Sequence, residues 1–365
     1  MAKLVGLYFV FIATLLSSHV IAHPKLHSPA DLIKRAEFQN KARRSLAGCS
    51  SKLRARDGVV DRAINRRQTL AERARRELGL LTDVPFLKKR DFGTVLNTSH
   101  HSDLTGLDSD TDPSVLFDGN TSCVLGPETT EGPYLVNGEL IREDVRDNQE
   151  GVILYTDIQL IDVNTCEPAS GIYLDFWHAN ATGVYSGVVA NGNGAGSEDA
   201  SNINSTAFRG IQQTSDEGVA QFITVFPGHY TGRATHIHIM AHQTDGSLND
   251  NDTYTGGTVS HVGQLFFDQD LISSVETISP YTTNSQTLTT NSEDGIFSDE
   301  AVNIDPVMEY VLLGDNIGDG ILAWVSFGIN TTVSHTVSAA ATWTADGGVS
   351  NGNSSGPGGP PPPSS

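Results

Sequence analysis

Short apolar segments separated by turn residues run through most of the chain, and they constrain the fold more than any other feature. Gly, Asn, Asp and Pro punctuate them, as expected between strands rather than inside helices. The clearest segments span residues 151–163, 171–179, 221–226, 235–242, 263–268, 310–313 and 321–327. Short strands spaced in this way predict a mainly β fold, specifically a β-sandwich.

Charge divides the chain into two unequal parts. Residues 23–90 hold 18 of the 23 Lys and Arg residues against seven acidic ones, a net of about +11. Beyond residue 90 only four arginines face 36 acidic residues, a net of about −32. Such an acidic region predicts no nucleic-acid partner, because phosphate binding depends on clustered basic side chains.

The basic segment 23–90 has a helical composition, since residues 61–78 are rich in Ala, Arg, Glu and Leu and lack Gly and Pro. Three interpretations compete: a pro-segment released near Lys88-Lys89-Arg90, a helical arm packed on the acidic domain, or a binder of anionic surfaces. The charge of the segment complements the rest of the chain, which favours the first two. The acidic β domain is predicted to span 91–345. Gly, Ser, Asn and Pro dominate 346–365, which predicts a disordered tail.

The N-terminus and the glycosylation sequons predict a secreted, extracellular protein. Residues 1–22 have a positive start and a short apolar run, the pattern of a cleaved signal peptide, so no stable membrane insertion is expected afterwards. In an oxidising compartment Cys123 and Cys166 could form a disulfide, which would leave Cys49 as the unpaired cysteine. Asn-x-Ser/Thr sequons occur at Asn97, Asn120, Asn180, Asn204, Asn251, Asn330 and Asn353.

The segment Thr235-His236-Ile237-His238-Ile239 carries a candidate metal site. Strand side chains alternate, so His236 and His238 project to one face and can share a metal ion. Alone, such a pair is weak evidence. A zinc hydrolase is one alternative, but no third His or Glu follows at helical spacing.

Several blocks, in order, resemble the intradiol ring-cleavage dioxygenases of the catechol and protocatechuate type, and most closely their fungal secreted members. The resemblance covers roughly residues 120–270 and implies an intradiol dioxygenase-like β-sandwich. Its motifs are Thr130-Glu-Gly-Pro-Tyr134 with Gly138-Glu-Leu-Ile-Arg142, Trp177-His-Ala-Asn-Ala-Thr-Gly-Val-Tyr185, Phe208-Arg-Gly210, residues 227–239, and Gln264-Leu-Phe-Phe267.

This resemblance implies a non-haem Fe(III) enzyme that cleaves a small aromatic diol with O2 and yields cis,cis-muconate-type products. The implied iron ligands are Tyr185, Tyr230, His236 and His238, and Tyr230 also serves as a base. Arg233 is expected to stabilise negative charge on the bound ring. Gln264 is expected near the substrate or O2 pocket, although a sheet-edge hydrogen bond is its alternative role. A non-catalytic β-sandwich that binds carbohydrate or phenolic ligands is the alternative function, and the sequence predicts no oligomeric state.

Overall fold

The chain is mainly β in the part that the structure describes. The computed structural model describes Cys49 and residues 59–80, 123–125, 132–190, 192–194, 199–301 and 306–352. The predicted signal peptide, the basic cluster at 88–90 and most of the predicted tail lie outside these residues. The two-sheet architecture expected from the alternating segments is confirmed.

The first sheet is mixed and holds the longest strands. Strand β14 (Ile321–Ile329) runs parallel to β4 (Ile153–Asp162) through nine residue pairs. The sheet is completed by β1 (Cys123–Leu125) and β13 (Glu309–Leu312) beside β14, and by β5 (Glu167–Pro168) and β8 (Val219–Val225) beside β4.

The second sheet carries the candidate site. Its order is β12 (Val259–Phe266), β9 (His236–His242), β6 (Tyr173–Trp177) and β7 (Arg209–Gln213), all antiparallel. One face packs on the first sheet, where Phe176 stacks on Phe222 at 4.4 Å between ring centroids. Burying each such side chain contributes roughly 1.5–3 kcal/mol, so this core fixes the orientation of the opposite face.

Short strands and helices cover the edges. One small sheet joins β3 (Glu139–Leu140), β11 (Thr253–Thr255) and β10 (Ser247–Leu248), and another joins β2 (Val136–Asn137), β15 (Ala341–Thr344) and β16 (Gly347–Ser350). The α-helices of the described ranges include α1 (Val59–Glu77), α2 (Gln269–Val275) and α3 (Gly295–Ala301), with 3-10 turns at Ala200–Asn204, Tyr281–Thr283, Asn291–Glu293 and Ile317–Asp319.

Strand β16 corrects the predicted start of the disordered tail at residue 346. Gly347 takes a φ of 106° and closes the turn from β15, and the antiparallel pairing then orders the next residues through Ser350. Composition predicted disorder because Gly, Ser and Asn dominate, but the backbone pairs regardless of these side chains.

Helix α1 packs on the outer face of the first sheet. Its apolar stripe, with Ile64 and Leu70, contacts Tyr155 and Trp324. Arg67 is also buried on this face and lies over the Trp324 ring at 5.6 Å. No helix within the described ranges is both long and apolar enough to cross a bilayer.

The disulfide joins Cys49 to Cys166, with 5.1 Å between Cα atoms. The pairing of Cys123 with Cys166 suggested by the sequence is therefore wrong. Cys123 lies in β1, where its register partner is Ser326 of β14. Cys166 lies in the tight turn between β4 and β5, and the disulfide links this turn to Cys49.

Candidate metal centre

Strand β9 supplies the two histidines of the candidate site. His236 and His238 lie on the outer face of the second sheet, with their Nε2 atoms 3.1 Å apart. Ile237 and Ile239 alternate with them and point into the core between the sheets. Both imidazoles are buried, so the pair is held by the strand rather than by flexible loops.

The first tyrosine, Tyr185, is presented by a tight turn after β6. The Asn180 side chain accepts two backbone N–H bonds within this turn. Gly183 has a φ of 77°, and a Cβ there would lie 2.2 Å from the carbonyl oxygen of His229. Glycine therefore lets this turn lie against the loop that carries Tyr230.

Both tyrosines converge on the histidine pair. The Oη atoms of Tyr185 and Tyr230 are 3.4 Å apart, and each lies 3.3 Å from His236 Nε2. Tyr185 Oη lies 3.2 Å from His238 Nε2. Five of the six distances among these four atoms therefore lie between 3.1 and 3.4 Å. The centre of a regular tetrahedron with edges of this length lies about 2 Å from each corner, which is the usual bond length from a transition-metal ion to nitrogen or oxygen.

The histidines present suitable donor atoms. His236 Nδ1 lies 2.6 Å from the Ala234 carbonyl oxygen and donates to it, so its Nε2 directs a lone pair into the cluster. The pKa of His238 lies well below its ordinary value, mainly because the imidazole is buried and next because His236 is close to it. This lowered pKa keeps the imidazole of His238 neutral. Neutral imidazoles are the form that binds metals.

The phenols need a cation to ionise. Burial, and then Tyr230, raise the pKa of Tyr185 well above its ordinary value, while burial raises the pKa of Tyr230 to about 12. A bound cation would reverse this preference by stabilising the phenolates. Two phenolate oxygens with two imidazoles suit a hard, highly charged ion such as Fe(III). In the described parts of the chain, no group of three or more His, Cys, Asp or Glu has metal-binding spacing.

Arg233 and Gln264 lie together beside this cluster. Arg233 is buried and donates from Nη2 to Gln264 Oε1 at 2.5 Å and from Nε to Asp294 Oδ2 at 2.9 Å. Gln264 lies directly across from His238 in the pairing of β12 with β9. Its side-chain oxygen therefore accepts a hydrogen bond from the arginine next to the candidate centre.

Three supporting residues were not singled out by the sequence analysis. Asp294 fixes both the Arg233 side chain and the Ala234 backbone N–H, which is 2.7 Å away. The Trp177 ring stacks on His238 at 4.8 Å, with 3° between the planes. Asn193 holds the Tyr185 backbone by accepting from its N–H at 2.7 Å and donating to its carbonyl at 2.8 Å. Only Trp177 stands inside a motif that could have indicated it.

No protein-family model and no curated protein matches the chain, whereas several solved structures do. An intradiol ring-cleavage dioxygenase from Tetranychus urticae is 28% identical, covers 61% of this chain and 100% of its own, and has a TM-score of 0.48. The dioxygenase domain of a carbohydrate-binding fusion protein from Streptomyces sp. SirexAA-E is 23% identical over 56% of this chain and 98% of its own, with a TM-score of 0.35. Catechol 1,2-dioxygenase from Pseudomonas arvilla C-1 is 17% identical over 56% of this chain and 62% of its own, also with a TM-score of 0.35.

The closer likeness to fungal secreted members stays a prediction. In the ordered motifs of its sequence the chain resembles the intradiol ring-cleavage dioxygenases, and one of the solved structures that it matches carries that family name.

Proposed function

We propose that this protein is a secreted non-haem Fe(III) dioxygenase that opens catechol-like rings between the two hydroxyl-bearing carbons. The observation that carries the proposal is the convergence of four side chains, each with its donor atom 3.1–3.4 Å from those of at least two others: Tyr185, Tyr230, His236 and His238. Four buried donors of this kind leave room for one ion at their centre. A non-catalytic binding module would have no use for such a cluster.

Bound Fe(III) would supply the electron-transfer capacity that lets a catecholate react with O2. The chain's own residues prepare the substrate for this reaction. Burial raises the pKa of Tyr230, while Arg233 opposes it by charge and by a side-chain hydrogen bond. Tyr230 is thus the tyrosine whose phenolate the protein supports best, and its Oη can accept a proton from a substrate hydroxyl.

Arg233 has a second role in this proposal. Its guanidinium is held by Asp294 and Gln264 and cannot turn toward water, because all three side chains are buried. A fixed positive charge in a dry site stabilises negative charge that develops on the ring oxygens more strongly than a solvated one. Both atoms of O2 enter the product, the ring bond breaks, and a cis,cis-muconate-type diacid is released.

The test combines spectroscopy with product analysis. Protein loaded with Fe(III) should show a visible tyrosinate-to-iron absorption band, and a catechol panel under 18O2 should give diacids that carry two labelled oxygens. Tyr185→Phe and His238→Ala should lose the band and turnover. Tyr173→Phe is the matched control, because Tyr173 lies on the same sheet but stacks on Tyr254, outside the cluster.

Unchanged turnover in Tyr185→Phe would refute the ligand set. Catechol binding without an iron band or ring opening would favour the binding module instead. Zinc in place of iron on metal analysis, with no diacid formed, would overturn the dioxygenase proposal altogether.

Secretion is part of the proposal and has its own support. The Cys49–Cys166 disulfide suits an oxidising compartment, in agreement with the N-terminal segment and the sequons. Expression in a eukaryotic host should place the protein in the medium, without residues 1–22 and with a mass that falls on glycosidase treatment. Retention in the cytosol would contradict it.

A further inference from the structure

A cavity of about 290 Å³ lies on the same face of the second sheet as the metal centre, but further along β9. It is reached at His242, four residues after His238, or roughly 13 Å along a strand. Most of its wall is apolar. The lining includes Leu135, Val136, Ile211, Val259 and Val337 together with Tyr254, and its polar side chains include Glu139, Asp175 and His242.

Asp175 is the main polar group of this cavity. Its side chain is 3% exposed, and Oδ1 has no hydrogen-bond partner among the described residues. Oδ2 lies 3.6 Å from His242 Nε2. His242 Nδ1 donates to the Gly256 carbonyl oxygen at 3.0 Å, so in the neutral imidazole Nε2 is an acceptor as well. A buried carboxylate oxygen without a donor is costly, and the cavity beside it can hold that donor.

Glu139 adds a second buried carboxylate. Its contact with Arg209 is long, 3.4 Å, because Arg209 makes shorter bonds to the carbonyl oxygens of Ser186 and Tyr134. Burial, and then Asp175, raise the pKa of Glu139 to about 8, while Arg209 and Arg142 oppose the rise. Among the residues that the structure describes, no Lys or Arg lines the cavity. When no cation occupies the cavity, a proton on Glu139 therefore balances the excess negative charge of the two carboxylates.

We propose that this cavity binds a small organic cation, with a primary ammonium group against Asp175 and Glu139 and a short hydrocarbon body along the apolar wall. At about 30 Å³ for the volume of one water, the cavity accommodates roughly ten non-hydrogen atoms. A metal ion fits less well, because no group of three acidic or His side chains in the described ranges has metal-binding spacing. The site does not depend on the ring-opening chemistry.

Titration calorimetry with two probes of equal size tests the proposal. n-Butylammonium should bind at least tenfold more tightly than butan-1-ol, and it should release a fraction of a proton, seen as a binding heat that changes with the buffer. Asp175→Asn and Glu139→Gln should each weaken n-butylammonium binding at least tenfold. Asp216→Asn is the control, since Asp216 is exposed and is not among the residues that line the cavity.

Val337→Trp provides a second route if a carboxylate variant fails to fold, because a larger side chain in the lining should block the probe without removing a charge. Equal affinity for the amine and the alcohol would overturn the proposal. So would unchanged n-butylammonium binding in Val337→Trp, or Ca²⁺ binding that displaces the amine stoichiometrically. Iron loading and ring cleavage should be the same in Val337→Trp as in the natural protein, which separates this test from that of the metal centre.

Discussion

Substituting Asp157 with Ala should strongly destabilise the contact between α1 and the first sheet. Asp157 is fully buried in β4 and accepts hydrogen bonds from Arg66 at 2.8 and 3.0 Å, from Arg67 at 3.2 Å and from Gln221 at 2.8 Å. Arg66 is 17% exposed and would keep its ion pair with Glu217 at 2.9 Å, so the loss of its contact with Asp157 should cost little stability. Arg67, 2% exposed, would remain as a buried charge without its carboxylate. Breaking a buried pair in this way costs about 3–5 kcal/mol.

At the lower end of that range, the melting temperature should fall by about 6–12 °C, since 1 kcal/mol corresponds to about 2–4 °C in a domain of this size. Differential scanning calorimetry at pH 7 measures the change. The double variant Arg67→Met/Asp157→Leu should recover most of the loss, because it removes both charges and fills the space. A single variant within 0.5 °C of the natural protein, or a double variant as unstable as the single one, would refute the reasoning.

Three further predictions concern pH and the metal centre. Burial alone would raise the pKa of Asp157, but its arginine partners outweigh burial and lower that pKa. The stability that Asp157 contributes is therefore fully present above about pH 4, near the pKa of an unfolded Asp, and is lost as the pH falls through the lower pKa of the folded state. Melting temperatures measured down an acid titration should follow this loss. Asp294→Asn removes the charge that balances Arg233. The tyrosinate-to-iron band should therefore move to higher energy, and kcat should fall about 10–100-fold. An unchanged spectrum would exclude this positioning role of Asp294. Gly183→Ala places a Cβ 2.2 Å from the His229 carbonyl oxygen, at a residue whose φ is 77°. Iron occupancy measured by metal analysis should therefore fall by more than half. Full occupancy would contradict the need for glycine at this position.

The sequence predicts the strands whose apolar character is continuous or alternating, because burial on at least one face determines both pattern and structure. β4, β9 and β14 follow from this pattern. β7 does not, since Arg209, Gln212 and Gln213 give it a polar composition while its backbone pairs with β6. The contact of α1 with the first sheet likewise depends on which faces meet, so composition left it as one of three alternatives.

The residues of the candidate site also fall into two groups: those that the sequence pattern places together and those that only the folded chain brings together. Strand alternation alone brings His236 and His238 to one face, but nothing in their spacing brings Tyr185 to them from 51 residues away. That step came from the resemblance of ordered motifs. Asp294 is 61 residues from Arg233, in a polar segment with no periodicity, so only the folded chain shows that the two residues form an ion pair.

The covalent link between Cys49 and Cys166 bears on the fate of the basic N-terminal segment. A protease that cuts at Lys88-Lys89-Arg90 acts inside the loop that this bond closes, so both fragments remain one molecule until a reductant is added. Helix α1 would also keep its buried contacts with β4 after the cut. Processing at that position would therefore yield a nicked two-chain protein, visible as two bands only on a reducing gel, rather than a shortened enzyme and a discarded peptide.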